Sequence, residues 1–223
     1  DVLSNTNNIN VSMALSEVLQ KYPDGDKKRE HIADLIKTHA LAHEDCAVIE
    51  KYLTSPCDSI DTKATVINAA VANGMDVSLE FVVRNILPVA GNENTLSILD
   101  AYCSKKLVDD DVFRILNFAC ACKDSKTAVG ALDCLKRGNQ YVLVPSKTVI
   151  AMLSERDLTA SDKISILDKL FEFKVEAKSV EAVMTNYLCF NQDPVATRKE
   201  VILYLLDKSP QLPTSTVQNY VLK

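Results

Sequence analysis

Four short strings recur along this chain at a nearly constant interval, and that interval constrains the fold more than any other feature. Ser97–Asp100 reads Ser-Ile-Leu-Asp, Gly130–Asp133 reads Gly-Ala-Leu-Asp, Ser165–Asp168 repeats Ser-Ile-Leu-Asp, and Val201–Tyr204 continues as Val-Ile-Leu-Tyr, at steps of 33, 35 and 36 residues. A period of about 20 to 50 residues marks an architecture of stacked, similar units. Each string sits in a segment with apolar residues at helical spacing: Leu96, Leu99 and Cys103; Ala128, Leu132 and Leu135; Ile164, Leu167 and Phe171; Val201 and Leu205, with Asp207 as a polar end.

A second series lies between the first. Leu107–Leu116, Leu143–Leu153, Lys178–Leu188 and Gln211–Leu222 each read as a lead-in, Pro or an acid, Ser or Thr, then an apolar helix. Pro suits a first helical turn, and Ser, Thr or Asp satisfies its free backbone N–H groups. The unit is therefore a pair of antiparallel helices, each about 12 residues long, joined by polar turns such as Cys122–Ser125 and Asp157–Asp162. Fainter units precede these at Val77–Leu107, Cys46–Asp76 and Asn10–Asp45, the last with its turn at Pro23–Asp26. One helix pair cannot cover its own apolar face, whereas stacked pairs bury a continuous core. The pattern predicts an all-α fold, an α-solenoid of about six helix-pair repeats of roughly 31–37 residues, with residues 1–223 as a single domain. Thr214–Lys223 reads as a first helix with no second, and the chain opens on Asp1 rather than Met, so a piece of a longer array is expected.

Composition supports this reading. Among 223 residues, 47% are hydrophobic and 25% charged, a balance that can build a core. Five glycines, seven prolines and no tryptophan leave too few turn residues for the hairpins of a β-sandwich or barrel. The longest buried-looking run, near Val201–Leu206, is far short of the about 18 residues that cross a bilayer, so no membrane partner is expected. A net charge of −5 argues against DNA and against bulk electrostatic binding of nucleic acid, leaving a local basic groove as the only route. The seven cysteines are an odd number without a regular framework, and Cys103, Cys120, Cys134 and Cys189 fall in apolar helical pattern, which points to a reducing intracellular compartment.

Little in the chain points to chemistry. His39, His43 and Cys46 share one helical face, but the fourth ligand is missing, and histidines near a helix end complement its carbonyls. Cys120 and Cys122 diverge on a helix and read as packing. Asp109, Asp110 and Asp111 suit a helix start. No phosphate-loop, dinucleotide, nucleophile-elbow or zinc-protease motif occurs, and all three histidines fall between His31 and His43. The expectation is no catalysis, no metal and no cofactor.

Two segments carry a family resemblance. Val144–Ala177, from Val-Pro-Ser-Lys-Thr-Val, and Ser125–Gly138, ending Lys-Arg-Gly, combine a Pro-x-x-Thr-apolar first helix with an Ala-x-x-x-Leu second helix and a basic turn. This resembles the pentatricopeptide repeat, from about Val77 onward. Where that family favours an aromatic, this chain has Val112, Val149, Val183 and Val217. The resemblance implies a concave face of first helices that reads single-stranded RNA one base per repeat, in mitochondrial transcript stability, processing or translation. It implies reading positions at Arg84, Arg114, Ala151, Thr185 and Asn219, with partner positions at Asp109, Ser146, Val180 and Thr214. The alternative is a protein-binding solenoid like tetratricopeptide or HEAT arrays, gripping a partner helix or peptide. The acidic balance favours that alternative.

Overall fold

The computed structural model describes residues 17–38, 45–56, 58–175, 177–190 and 192–208. The chain is all-α and divides into two compact units, Asp1–Lys105 and Lys106–Lys223. The first contains α1 (residues 17–21), α2 (Asp26–Thr38), α3 (Asp45–Leu53), α4 (Ile60–Ala72), α5 (Leu79–Asn85), a 3₁₀ turn at Leu87–Val89 and α6 (Gly91–Cys103). The second contains α7 (Asp109–Ala121), α8 (Ser125–Arg137), α9 (Ser146–Leu153), α10 (Ala160–Phe171), α11 (Ala177–Phe190) and α12 (Val195–Lys208). The strand β1 (Leu143–Val144) precedes α9, and β2 (Lys174–Val175) precedes α11; they pair in parallel.

Helices α4, α5, α8 and α10 start on side-chain caps. The pattern also predicts Asp, Ser or Thr caps for α7 and α9, but these helices start after Val108 and Pro145 with no side-chain cap bond, because neither residue has a polar side chain to offer. The Ser59 hydroxyl accepts from the Thr62 N–H, and that of Ser78 accepts from the Phe81 N–H. Asp124 does the same for Thr127, and Thr159 forms a reciprocal box with Asp162; each cap satisfies a donor the helix cannot. Two helix ends share a device. After α4, Gly74 turns left-handed at φ +87°, while the Met75 N–H reaches the Ala70 carbonyl at 3.0 Å. After α8 the left-handed residue is Asn139, at φ +54°, while the Gln140 N–H reaches Leu135 at 2.9 Å. Asparagine tolerates that conformation better than most residues with a side chain.

Two first helices are shorter than the expected twelve residues, α5 with 7 and α9 with 8, whereas α7 has 13 and α11 has 14. Pro88 explains α5, because it lacks an N–H and disfavours the helical conformation at Leu87, leaving only the 3₁₀ turn.

Packing follows chain order. In the first unit α4 packs on both α2 and α6. In the second, α7 packs on α9 and α9 on α11, while α8 packs on α10 and α10 on α12. The apolar stripes fill these contacts: Leu99, Ala128, Leu132, Leu135, Leu167, Val201 and Leu205 are buried, as are Val112, Val149 and Val183. Among the described residues no helix is long and apolar enough to cross a membrane.

Candidate functional site

The positions singled out by the family resemblance fall in both units. Arg84 stands exposed in the last turn of α5. Arg114, on α7, is half-buried, and its Nη1 donates to Asp111 Oδ1 at 3.0 Å. Ala151 is exposed on α9, and Thr185 is half-buried on α11. Asp109 and Ser146 are the first residues of α7 and α9, and Val180 lies in the first turn of α11. Asn219 and Thr214 lie outside the described residues. The packing of α7, α9 and α11 thus puts Arg114, Ala151 and Thr185 on three successive helices. The same row opens with Asp109, Asp110 and Asp111 in one helical turn.

Two of the three repeated aspartates, Asp133 and Asp168, connect neighbouring repeats. Asp133 on α8 accepts from Lys169 on α10 at 2.9 Å. Asp168 on α10 accepts from the Tyr204 hydroxyl of α12 at 2.6 Å and pairs with Lys208 at 3.3 Å. The Tyr204 bond, ahead of Lys208, holds the Asp168 carboxyl below the usual aspartate range. Lys169 is raised chiefly by its bond to Asp133.

A second series of polar residues was not legible as a set. Near the start of α2, α4, α6, α10 and α12, one side chain reaches back to a carbonyl in the last turn of the preceding helix or in the residues just after it. Lys28 Nζ donates to Leu19 O at 2.6 Å, Lys63 Nζ to Ser55 O, Thr95 Oγ1 to Leu87 O at 3.5 Å, Lys163 Nζ to Leu153 O at 2.7 Å, and Arg198 Nη1 to Leu188 O at 3.4 Å. The last carbonyls of a helix lack intrahelical donors and carry the negative end of its dipole, so a cation or hydroxyl answers both needs. The spacing was available as a signal: Lys28 to Lys63, and Lys163 to Arg198, are each 35 residues.

Two of these lysines belong to larger clasps. The Lys28 ammonium also pairs with Asp58 at 2.7 Å, Tyr52 donates its hydroxyl to Asp58, and Lys28 Nζ lies 5.9 Å from the centre of the Tyr52 ring. In the second unit Lys163 pairs with Asp193, Tyr187 donates to Asp193 at 2.6 Å, and Lys163 Nζ lies 5.8 Å from the Tyr187 ring centre. Lys28 is 2% exposed and Lys163 fully buried, so each ammonium depends on the whole circuit for its solvation. Burial, then the bond to Asp193, raises the Tyr187 hydroxyl well above the ordinary tyrosine value. Such a circuit holds helices together.

Of the suspected metal ligands, His39 and His43 lie outside the described residues and Cys46 is buried. Among the described residues no three His, Cys, Asp or Glu side chains gather as a metal site would require. Cys120 is a buried free thiol pushed by burial up to about 12, and the half-buried Cys122 is likewise pushed up to about 11. Neither environment favours a reactive thiolate. Comparison with protein families, curated proteins and solved structures gives no match.

Proposed function

We propose that this chain is an α-solenoid of about six helix pairs, and that its first helices hold an extended segment of a partner protein. The ordered packing of α7 with α9 and α11, and of α8 with α10 and α12, supports the solenoid. The observation that carries the choice of ligand is the pairing of Arg114 with Asp111, below Asp109 and Asp110 in the same first turn. An arginine committed to a neighbouring carboxylate has less to offer a phosphate, and uncompensated aspartates repel one.

A second reading, a pentatricopeptide-like protein that binds single-stranded RNA, is favoured by one feature. Arg114, Ala151 and Thr185 recur on successively packed first helices, one per pair, as one-base-per-repeat recognition requires. The mitochondrial, transcript-directed role implied by the resemblance belongs to this reading. Titration of a fluorescently labelled single-stranded RNA, at two salt concentrations, separates the two. The protein-scaffold reading expects no saturable binding at moderate salt. Saturable binding that the Arg84→Glu/Arg114→Glu pair weakens at least about tenfold, or about 1.4 kcal/mol, with a shallower salt dependence, would overturn it in favour of RNA.

A further inference from the structure

Asn73 and Gly74 form the one Asn-Gly pair in the chain. Both are exposed, at the carboxyl end of α4. In such a pair the glycine nitrogen can attack the asparagine side-chain carbonyl, because no Cβ on the glycine hinders the approach. The native turn holds both reacting groups elsewhere. The Gly74 N–H donates to Val71 O at 3.1 Å, and Asn73 Nδ2 donates to Ala69 O at 2.7 Å.

The end of α6 brackets this turn on both sides. Lys105 Nζ, just beyond α6, donates to Val71 O, the same carbonyl that takes the Gly74 N–H, and the Tyr102 hydroxyl, on α6, donates to Val77 O at 2.8 Å. Between these bonds Met75 and Val77 are buried. Tyr102 and Lys105 therefore set how often the end of α4 opens, and opening is what frees the reacting groups. The end of α8 supplies a contrast. There the order is Gly138-Asn139-Gln140, so an asparagine takes the left-handed place that Gly74 holds after α4. The nitrogen that follows Asn139 belongs to a residue with a side chain, and its N–H is bound to Leu135 O at 2.9 Å.

We propose that Asn73 is a site of spontaneous deamidation, gated by the bracket of Tyr102 and Lys105. The Gly74 nitrogen sheds its proton and bonds to Asn73 Cγ; the Cγ–Nδ2 bond breaks, and ammonia leaves with a proton in place of the one shed. Water then opens the cyclic imide at either carbonyl, giving aspartate or isoaspartate. Either product puts a carboxylate at the negative end of the α4 dipole, where an amide had donated to Ala69 O. Isoaspartate also lengthens the main chain ahead of Gly74, so the N–H groups of Gly74 and Met75 lose register with Val71 O and Ala70 O. The modification thus loosens the end of α4 from α6. It lies within the first unit and is independent of what the first helices hold.

The test is incubation of the full chain at mildly alkaline pH, mapped by mass spectrometry and by enzymatic methylation of isoaspartate. Asn73 is expected to convert in the folded chain about tenfold more slowly than in urea, while Asn139 stays intact. Lys105→Met and Tyr102→Phe, the second of which removes only a hydroxyl, should each speed the folded reaction about threefold and leave the rate in urea unchanged. Gly74→Ala, compared in urea where its backbone strain plays no part, should slow conversion about tenfold. Absence of product after about a hundred half-lives of the unfolded chain, conversion as fast folded as unfolded, or a folded rate that neither bracket variant changes would overturn the proposal.

Discussion

Tyr52 and Tyr187 hold equivalent places 135 residues apart. Each donates its hydroxyl to an aspartate six residues further on, and each sets its ring within 6 Å of the lysine that grips that aspartate. The lysine, in turn, closes the carbonyl end of the preceding helix. One circuit therefore joins a first helix, its own second helix, and the next pair. In an array held together by neighbour contacts, such a joint fixes one pair against its successor.

Removing half of a clasp should cost far more than removing the whole. Lys163→Met leaves Asp193 buried without its cation, and the expected loss is about 3 to 5 kcal/mol. Made in a Tyr187→Phe background, so that no buried hydroxyl loses its acceptor, Lys163→Met combined with Asp193→Leu should recover much of that loss, since a matched apolar set needs no compensation. Urea unfolding of the two single variants and the double variant in that background measures the coupling. Additive losses would show that the two residues act independently.

Leu132 is buried at 1% exposure on α8, the helix that packs on α7 and α10. Leu132→Ala should lower unfolding free energy by about 2 to 5 kcal/mol through the cavity it leaves. Denaturant titration checks this, and a neutral outcome would misplace the helix face.

The helical period was readable because its apolar stripes are continuous: Leu132, Leu167 and Leu205 lie where the 3.6-residue spacing puts them, and all are buried. The turns Cys122–Ser125 and Asp157–Asp162 were readable from their polar residues, and they hold the caps Asp124 and Thr159. The side-chain caps expected at the starts of α7 and α9 do not form, because the residues before those helices are Val108 and Pro145. The clasps were not readable. Lys28 looks like one of several charges in Asp-Lys-Lys-Arg-Glu, and only the fold brings Asp58 to it across 30 residues. Arg114 was legible as a charge on a first helix, but its bond to Asp111 depends on both rotamers.

Acid should loosen the second unit at its helix starts. Bonds from Thr127 hold Asp124 below the ordinary aspartate value of 3.8, and bonds from Ser125 and then Thr159 do so for Asp162. A carboxyl depressed in the folded state contributes stability above 3.8 that is lost as pH falls through the folded value. Stability followed by circular dichroism from neutral pH down past 3.8 should therefore fall. The fall should be shallower in Asp124→Asn, which keeps the cap acceptor but cannot titrate. Identical profiles would remove Asp124 from the acid response.

The raised thiols predict slow labelling. With Cys122 near 11 and Cys120 near 12, a disulfide reagent at mildly alkaline pH should modify neither quickly, and the half-buried Cys122 should react before the buried Cys120. Mass mapping of partly labelled protein gives the order. Prompt reaction at Cys120 would contradict its burial.

Residue-resolved hydrogen exchange on Lys163→Met tests most directly whether the second unit is an array of neighbour-coupled helix pairs. Breaking this clasp should lower protection in α9, α10 and α11 and at the start of α12, the segments that Leu153, Lys163, Tyr187 and Asp193 connect. Protection in α7 and α8 should fall much less, because coupling in a linear array decays from pair to pair. An equal loss of protection in every helix from α7 to α12 would contradict the account, showing one indivisible globule in place of stacked repeats.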